Sequence, residues 1–330
     1  MAIETDLTVA VTGPTGTFGF GLMPLLQEDG RVTRVVGVAR RPFDPDAQGW
    51  TKMHYRQGDV QDTAALEAAF EGADVVVHLA FLIVGGDRET TRGINVEGTI
   101  NAFRAAAAAG ARRFVYASSV AAYGFHADNP VGMTEDWPTR PAARLFYAQE
   151  KAELEELLAE ESAVHPGIDL YLLRPPIVVG PHAVGGKALP SLLAPLASLV
   201  ERGRRRLPFP VPVVVPDLPV QFIHEEDVGR ALVQCVVAAG PAGAYNIAAD
   251  DVLSMVDVAR ELGLLPLKAP GGPARAAARI ASRLPLLPSS AQWVEAGSHP
   301  AIMDTSKARD VLDWSPRISA RQAIRDSLGD

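Results

Sequence analysis

The stretch "VAVTGPTGTFGFGL" (residues 9–22) decides the fold. A short apolar run ends in a turn that places Gly13, Gly16 and Gly19 three residues apart, and a helical pattern follows at once. A dinucleotide needs such a place. Glycine lets backbone approach a pyrophosphate, and the free N–H groups of a helix start bind its charge. The spacing is G-x-x-G-x-x-G rather than G-x-G-x-x-G, and tight turns use glycine for other reasons. The position of the triplet, directly after an apolar strand, gives it weight as a cofactor loop.

Outward from this turn, short β-rich runs alternate with longer helical stretches. "LTVAVTG", "RVVGVAR", "MHYRQGD", "DVVVHLA", "RRFVYAS" and "IDLYLLRP" read as strands, mostly apolar throughout. Strands buried on both faces look like this. Helical patterns fall at roughly 17–29, 63–71, 88–109 and 145–164. The alternation predicts an α/β fold, a doubly wound parallel sheet of the Rossmann type, over residues 1–175. After Pro175 prolines become frequent, as in "RLPFPVPVVVPDLP", and a smaller, irregular C-terminal substrate domain is expected over 176–330. Residues 220–242 return to the first domain in this reading. The Pro-, Gly- and Ala-rich stretch 265–275 reads as a loop.

The chain has 330 residues, enough for one large domain or two joined ones. Its formal net charge of −8 argues against a nucleic-acid partner, which needs excess positive charge. The one cysteine, Cys235, excludes an internal disulfide and fits a reducing compartment. Acids stand near the start, where a secretion signal carries bases. The apolar run "ALPSLLAPLASLV" is short and holds two prolines, so no membrane span is predicted. The expectation is a soluble cytoplasmic protein. "ERGRRRLPF" (201–209) and the every-fourth-residue series Arg275, Arg279 and Arg283 read as solvated faces rather than anion or membrane sites. His224, flanked by acids on a strand end, does not converge with them as metal ligands do, and no metal is expected.

Two further features carry chemistry. After the second strand, where NAD sites usually hold an acid for the ribose 2′-hydroxyl, the chain has Ala39 followed by Arg40 and Arg41. Guanidinium groups attract a 2′-phosphate, so NADP is favoured over NAD. In "FYAQEK" (146–151), Tyr147 and Lys151 stand four apart and share a helix face. A lysine ammonium about 4 Å from a phenolate, at an effective dielectric of about 20, supplies roughly 4 kcal/mol. That is about three pKa units and brings a tyrosine toward working pH.

Together the ordered motifs resemble an extended short-chain dehydrogenase/reductase of the NAD-dependent epimerase/dehydratase family, over nearly the whole chain. "TGPTGTFG" is similar to the family's phosphate loop, "GDVQD" (58–62) to its adenine-side motif, and "HLA" (78–80) to the turn after the fourth strand. "NVEGT" (95–99), "YASSVAAYG", "YAQEK", "RPPIVVGP" (174–181), "FIHEEDV" (222–228) and "KARDVLDWSP" (307–316) match the later landmarks in order. The resemblance implies that Gly13, Thr15, Gly16, Thr17, Phe18, Gly19, Arg40, Arg41, Asp59, Val60, Leu79, Ala80, Pro175, Ile177 and Val178 meet the cofactor. It implies that Tyr147 exchanges a proton with a substrate oxygen that Ser119 hydrogen-bonds. Lys151 would tune Tyr147 and hold the nicotinamide ribose, with Asn95 either supporting it through water or serving structure alone. A homodimer through 88–109 and 145–164 is a further implication.

The substrate reading rests on departures. Nucleotide-sugar relatives tend to carry an arginine before "FIH", where this chain has Val220 and Gln221. Phe81, Leu82, Ile83 and Val84 would give an apolar wall beside Ser119. The expectation is therefore a dehydrogenase or reductase acting on a carbonyl or secondary alcohol of a relatively apolar small molecule. A nucleotide-sugar epimerase/dehydratase that uses its cofactor transiently, and a catalytically silent dinucleotide sensor or scaffold, are the alternatives.

Overall fold

The computed structural model describes residues 4–83, 87–183, 210–269 and 299–328. The basic segment 201–209, the series at 275, 279 and 283, the apolar run 188–200 and Val84 lie outside the described residues. The chain opens with β1 (Leu7–Thr12), α1 (Thr17–Glu28), β2 (Val32–Ala39), β3 (Met53–Gln57), α2 (Thr63–Phe70) and β4 (Val75–His78). There follow α3 (Arg88–Arg92), α4 (Gly98–Ala108), β5 (Arg113–Ala117), α5 (Phe146–Val164), β6 (Asp169–Arg174) and β7 (Ile177–Val179). The later part holds β8 (Pro212–Pro216), β9 (Pro219–Val220), β10 (Phe222–His224), α6 (Glu225–Val236), β11 (Gly243–Asn246), β12 (Leu253–Ser254), α7 (Met255–Glu261), β13 (Leu265–Ala269), α8 (Ser306–Leu312) and α9 (Ala320–Asp326).

Seven strands form one sheet in the order β11-β6-β5-β4-β1-β2-β3. Every neighbour pair in it is parallel. Because side chains alternate along a strand, Val9 and Val11 of β1 enter one core with Leu22, Leu26, Val228 and Leu232. Ala10 enters the core on the opposite face, with Leu66, Phe70, Phe103, Leu154 and Leu158. Burial on both faces explains why these strands read as unbroken apolar runs. No described helix is long and apolar enough to cross a membrane.

Two details differ from the sequence reading, and a third lies outside it. The helix expected over 88–109 is interrupted by a π-helical turn, Gly93–Glu97, between α3 and α4. The stretch from 265 is not simply a loop, since Leu265–Ala269 pairs in parallel with Pro212–Pro216. Prolines are tolerated there because each strand of a two-stranded ribbon has one neighbour, so alternate N–H groups need no partner. The third is a helix contact. α1 and α6 cross so closely that a Cβ on Gly21 would lie 2.0 Å from the Glu225 carbonyl oxygen, and one on Gly229 would lie 2.0 Å from that of Gly21. This contact seats α6 on the sheet and carries β11 to its edge.

Alanine has the better helix propensity, yet Gly229→Ala must force the two helices apart. The expected outcome is a loss of about 2–3 kcal/mol, read as a lower urea midpoint at unchanged slope. An unchanged or higher midpoint would show that the crossing has slack.

Candidate active site

The strand order reverses between β1 and β4, which makes that crevice the topological switch point. The residues singled out from the sequence sit at the carboxyl ends of the strands around it: Gly13 after β1, Arg40 after β2, Asp59 after β3, Leu79 after β4, Ser119 after β5 and Pro175 after β6. The phosphate loop closes on itself through Gly16 N to the Gly13 carbonyl at 3.1 Å, and Gly13 N bonds the Val38 carbonyl at 2.9 Å. Gly13 has φ +70°, and a Cβ there would stand 2.8 Å from the Ala80 nitrogen. Only glycine fits that close approach of β1 to the turn after β4. Gly16 is the N-cap of α1 and offers no side chain to its amides. Thr15, Thr17 and Phe18 are half-buried at the same turn, whereas Gly19 is buried.

After β2, the Tyr55 hydroxyl donates to the carbonyls of Ala39 and Arg41, and Gln57 Nε2 donates to that of Arg40 at 2.9 Å. The backbone of the two arginines is thus pinned, while both side chains are exposed and have no carboxylate partner among the described residues. Asp59 is half-buried and accepts from Gln61 N. Val60 and Val178 are core residues, 6% and 9% exposed, so a ligand meets their backbone rather than their side chains. Ile177 packs with the later part of the chain, and the Pro175 carbonyl accepts from Val120 N at 2.9 Å. A glycine cradle and uncapped helix amides fit the pyrophosphate of a dinucleotide in charge.

Ser119 starts a short 3₁₀ helix, Val120–Tyr123, and its Oγ accepts from Ala121 N at 3.2 Å. Tyr147 lies in the first turn of α5. Burial raises its phenol above the ordinary value of 10, and a hydrogen bond from the Ser119 hydroxyl pulls the other way. Here the structure corrects the expected electrostatics. The phenol is raised rather than lowered. Lys151 Nζ sits 5.8 Å from the Tyr147 ring centre. It donates to Tyr116 Oη at 3.0 Å and the Ala117 carbonyl at 2.7 Å, and it lies 3.6 Å from the centre of the Phe81 ring. An i, i+4 spacing fixes the face that two residues share. It leaves the ends of long side chains free, and this one leans toward β5. Burial pushes the Lys151 ammonium down to about 7, against the pull of Glu155 and Glu150. Lys151 is only 3% exposed.

The wall residues divide. Phe81 meets the Tyr147 ring edge-on at 5.7 Å. Leu82 is clamped by Asn95, whose Oδ1 accepts from Leu82 N at 2.7 Å and whose Nδ2 donates to the Leu82 carbonyl at 2.9 Å. Ile83 is 46% exposed. Asn95 also donates to Glu150 Oε2 at 2.8 Å, so both of its N–H groups are engaged. Sequence reasoning missed a second layer. Glu155 pairs with Arg174 and accepts from Ser118; it lies four residues beyond Lys151, so the same spacing rule pointed to it. His78 bridges Thr12 and Thr99 at 2.9 and 3.0 Å and is held neutral by burial, with its pKa pushed down to about 3. Gln221 donates to the Met303 carbonyl at 3.0 Å and accepts from Met303 N at 2.8 Å. His224 caps α6 by accepting from Glu226 N.

Comparison with known proteins agrees with this geometry. The model of the NAD dependent epimerase/dehydratase family matches residues 9–248. An uncharacterized protein of Sinorhizobium fredii is 29% identical over 96% of this chain and 76% of its own length. Sterol demethylase protein B of Methylococcus capsulatus is 32% identical over 53% of this chain and 52% of its own. Among solved structures, UDP-glucose 4-epimerase of Thermotoga maritima with UDP-glucose aligns with TM-score 0.75 at 18% identity, covering 98% of both chains. dTDP-glucose 4,6-dehydratase of Bacillus anthracis in complex with NAD aligns with TM-score 0.72 at 16% identity, covering 98% of this chain and 96% of that one. The parallel sheet with its glycine cradle at the switch point, and a family model spanning most of the chain, lead to one conclusion: this protein belongs to the NAD dependent epimerase/dehydratase family.

Proposed function

We propose that the protein is an NADP(H)-preferring oxidoreductase that acts on a carbonyl or secondary alcohol of a relatively apolar small molecule. The carrying observation is the meeting of Ser119 and Tyr147 beside the Phe81 ring, at the carboxyl edge of the sheet. Bound at the switch point, a nicotinamide supplies or accepts the hydride. The protein's own groups handle the proton. Tyr147 gives it to, or takes it from, the substrate oxygen, and Ser119 hydrogen-bonds that oxygen. Lys151 acts on the phenol as a charge one side chain away.

Three features support an apolar substrate. Phe81 presents hydrocarbon next to Tyr147. Gln221 is buried and held by Met303 through both its nitrogen and its oxygen, and it carries no charge to meet a diphosphate. One relative is named for a sterol reaction, and sterols are apolar. The family name and the nucleotide-sugar enzymes that share the fold keep a sugar-nucleotide epimerase or dehydratase as the second reading. Preference for the 2′-phosphate rests on the unpaired Arg40 and Arg41.

Three outcomes test this reading. Tyr147→Phe should lower kcat/KM by about 10²–10⁴-fold in a screen of apolar ketones, aldehydes and sugar nucleotides, with cofactor affinity within about twofold by fluorescence titration. Unchanged turnover, or conversion of a sugar nucleotide with no net cofactor consumption, would sink it. Arg40→Ala/Arg41→Ala should weaken NADPH binding about 10–100-fold, a loss of about 1.4–2.8 kcal/mol, and leave NADH binding unchanged; equal loss for both would reject the 2′-phosphate role. The third concerns pH. Because the phenol is held protonated, carbonyl reduction should keep its rate on the alkaline side, while alcohol oxidation should rise with pH toward the raised phenol pKa. Initial rates in both directions from about pH 6 to 10 decide it, and an oxidation rate that is flat or falls across that range counts against Tyr147 as the proton carrier.

A further inference from the structure

Glu150 and Lys151 are neighbours on α5, and both side chains are buried, 7% and 3% exposed. Each holds the same two-residue segment after β4, by different means. Glu150 accepts from Asn95 Nδ2 at 2.8 Å, and Asn95 clamps both the N–H and the carbonyl of Leu82. Lys151 faces the ring of Phe81, the residue next to Leu82, at 3.6 Å. The contacts close a ring from Glu150 through Asn95, Leu82 and Phe81 to Lys151. Charge follows the same path. The other buried carboxylate of the helix, Glu155, is taken by Arg174 at 2.5 Å. That leaves Glu150 as the buried carboxylate whose charge is not matched by a bonded cation, one residue from a buried ammonium.

We propose that Glu150 is a positioning residue. Through Asn95 and the Leu82 backbone it sets Phe81 over Lys151, and its negative charge holds Lys151 as an ammonium.

The groups that face Lys151 from each element are few. Tyr147, Glu150 and Glu155 lie on α5, Tyr116 on β5 and neutral His78 on β4, and Arg174 of β6 acts through Glu155. Of these, Glu150 and Glu155 favour the charged amine, while burial opposes it. Removing one of the two carboxylates therefore lowers the pH at which Lys151 gives up its proton.

This role rests on the oxidoreductase reading for its use in turnover, but its test needs neither cofactor nor substrate. The chain has five lysines, few enough to follow individually by NMR of protein grown with ¹³Cε-lysine. The Lys151 signal is assigned by its loss in Lys151→Arg. Glu150→Gln keeps an oxygen for Asn95 and removes the charge, so Lys151 should titrate roughly one pH unit lower than in the unaltered protein. A superimposable or higher titration overturns the proposal. Glu150→Asp tests the geometric half and serves if Glu150→Gln does not accumulate as folded protein. It keeps the charge but shortens the reach, so Lys151 should titrate as before, while the Leu82 amide exchanges with solvent at least about tenfold faster. Unchanged exchange, or a shifted titration, in Glu150→Asp likewise overturns it. A protein that passes these tests yet binds neither dinucleotide refutes the oxidoreductase reading and leaves the Glu150–Lys151 arrangement standing.

Discussion

The candidate site depends on keeping one ammonium group out of water. Taking such an ion into a protein interior costs several kcal/mol even after relaxation, so the surroundings of Lys151 must offset it at close range. Tyr116 and the Ala117 carbonyl accept from it, and the Phe81 ring presents the negative face of its π-system. The compensation is incomplete, since burial still pulls the group down to about 7. A lysine held so close to losing its proton is sensitive to each charge near it. The buried carboxylates of α5 are those charges, and their own partners then become part of the site.

The same requirement explains why the helix sits where it does. Glu155 is bonded to Arg174 of β6 and to Ser118 beyond β5, while Lys151 is bonded to the end of β5. Polar contacts to two adjacent strands, together with Leu154 and Leu158 in the core below, fix both the rotation and the height of α5. Tyr147, one turn before Lys151, is carried to Ser119 by that placement. The phenol then finds itself in a low-dielectric site that favours its protonated form, which is the form a reductive step draws on.

What could be read from the chain, and what could not, follows from the range of each interaction. The glycine loop, the parallel strands and the Tyr147–Lys151 pair are written in short spacings, and a period or a turn residue reveals them. Gly21 and Gly229 are different. Each is a glycine inside a helix, a costly choice of about 1 kcal/mol, but its reason lies in the other one, across the fold. Asn95 was legible as a candidate and not as a clamp, because its partners Leu82 and Glu150 come from separate elements. The strand at 265–269 was hidden by Pro266, which a two-stranded ribbon accommodates. The expected lowering of the Tyr147 phenol failed for a simpler reason: spacing gives a shared face, and burial of that face favours the protonated phenol.

The polar layer beneath the site also separates what is fixed from what can vary. Gln221 holds Met303, which bridges to Met133. The Met133 carbonyl accepts from Asn246, and Asn246 accepts from Tyr123, which is bonded to Arg174 and thus to Glu155. Most members of this chain are buried, so leaving any one unpaired costs about 1–3 kcal/mol. A substitution that retuned the substrate here would have to replace several groups together. Ile83 carries no such obligation: it is 46% exposed, and hydrophobic exchanges of similar volume cost little. Phe81 is committed to the buried Lys151 ammonium. Under the proposed function, substrate choice is therefore cheapest to alter at Ile83, while the buried network holds in place the groups proposed to handle the proton.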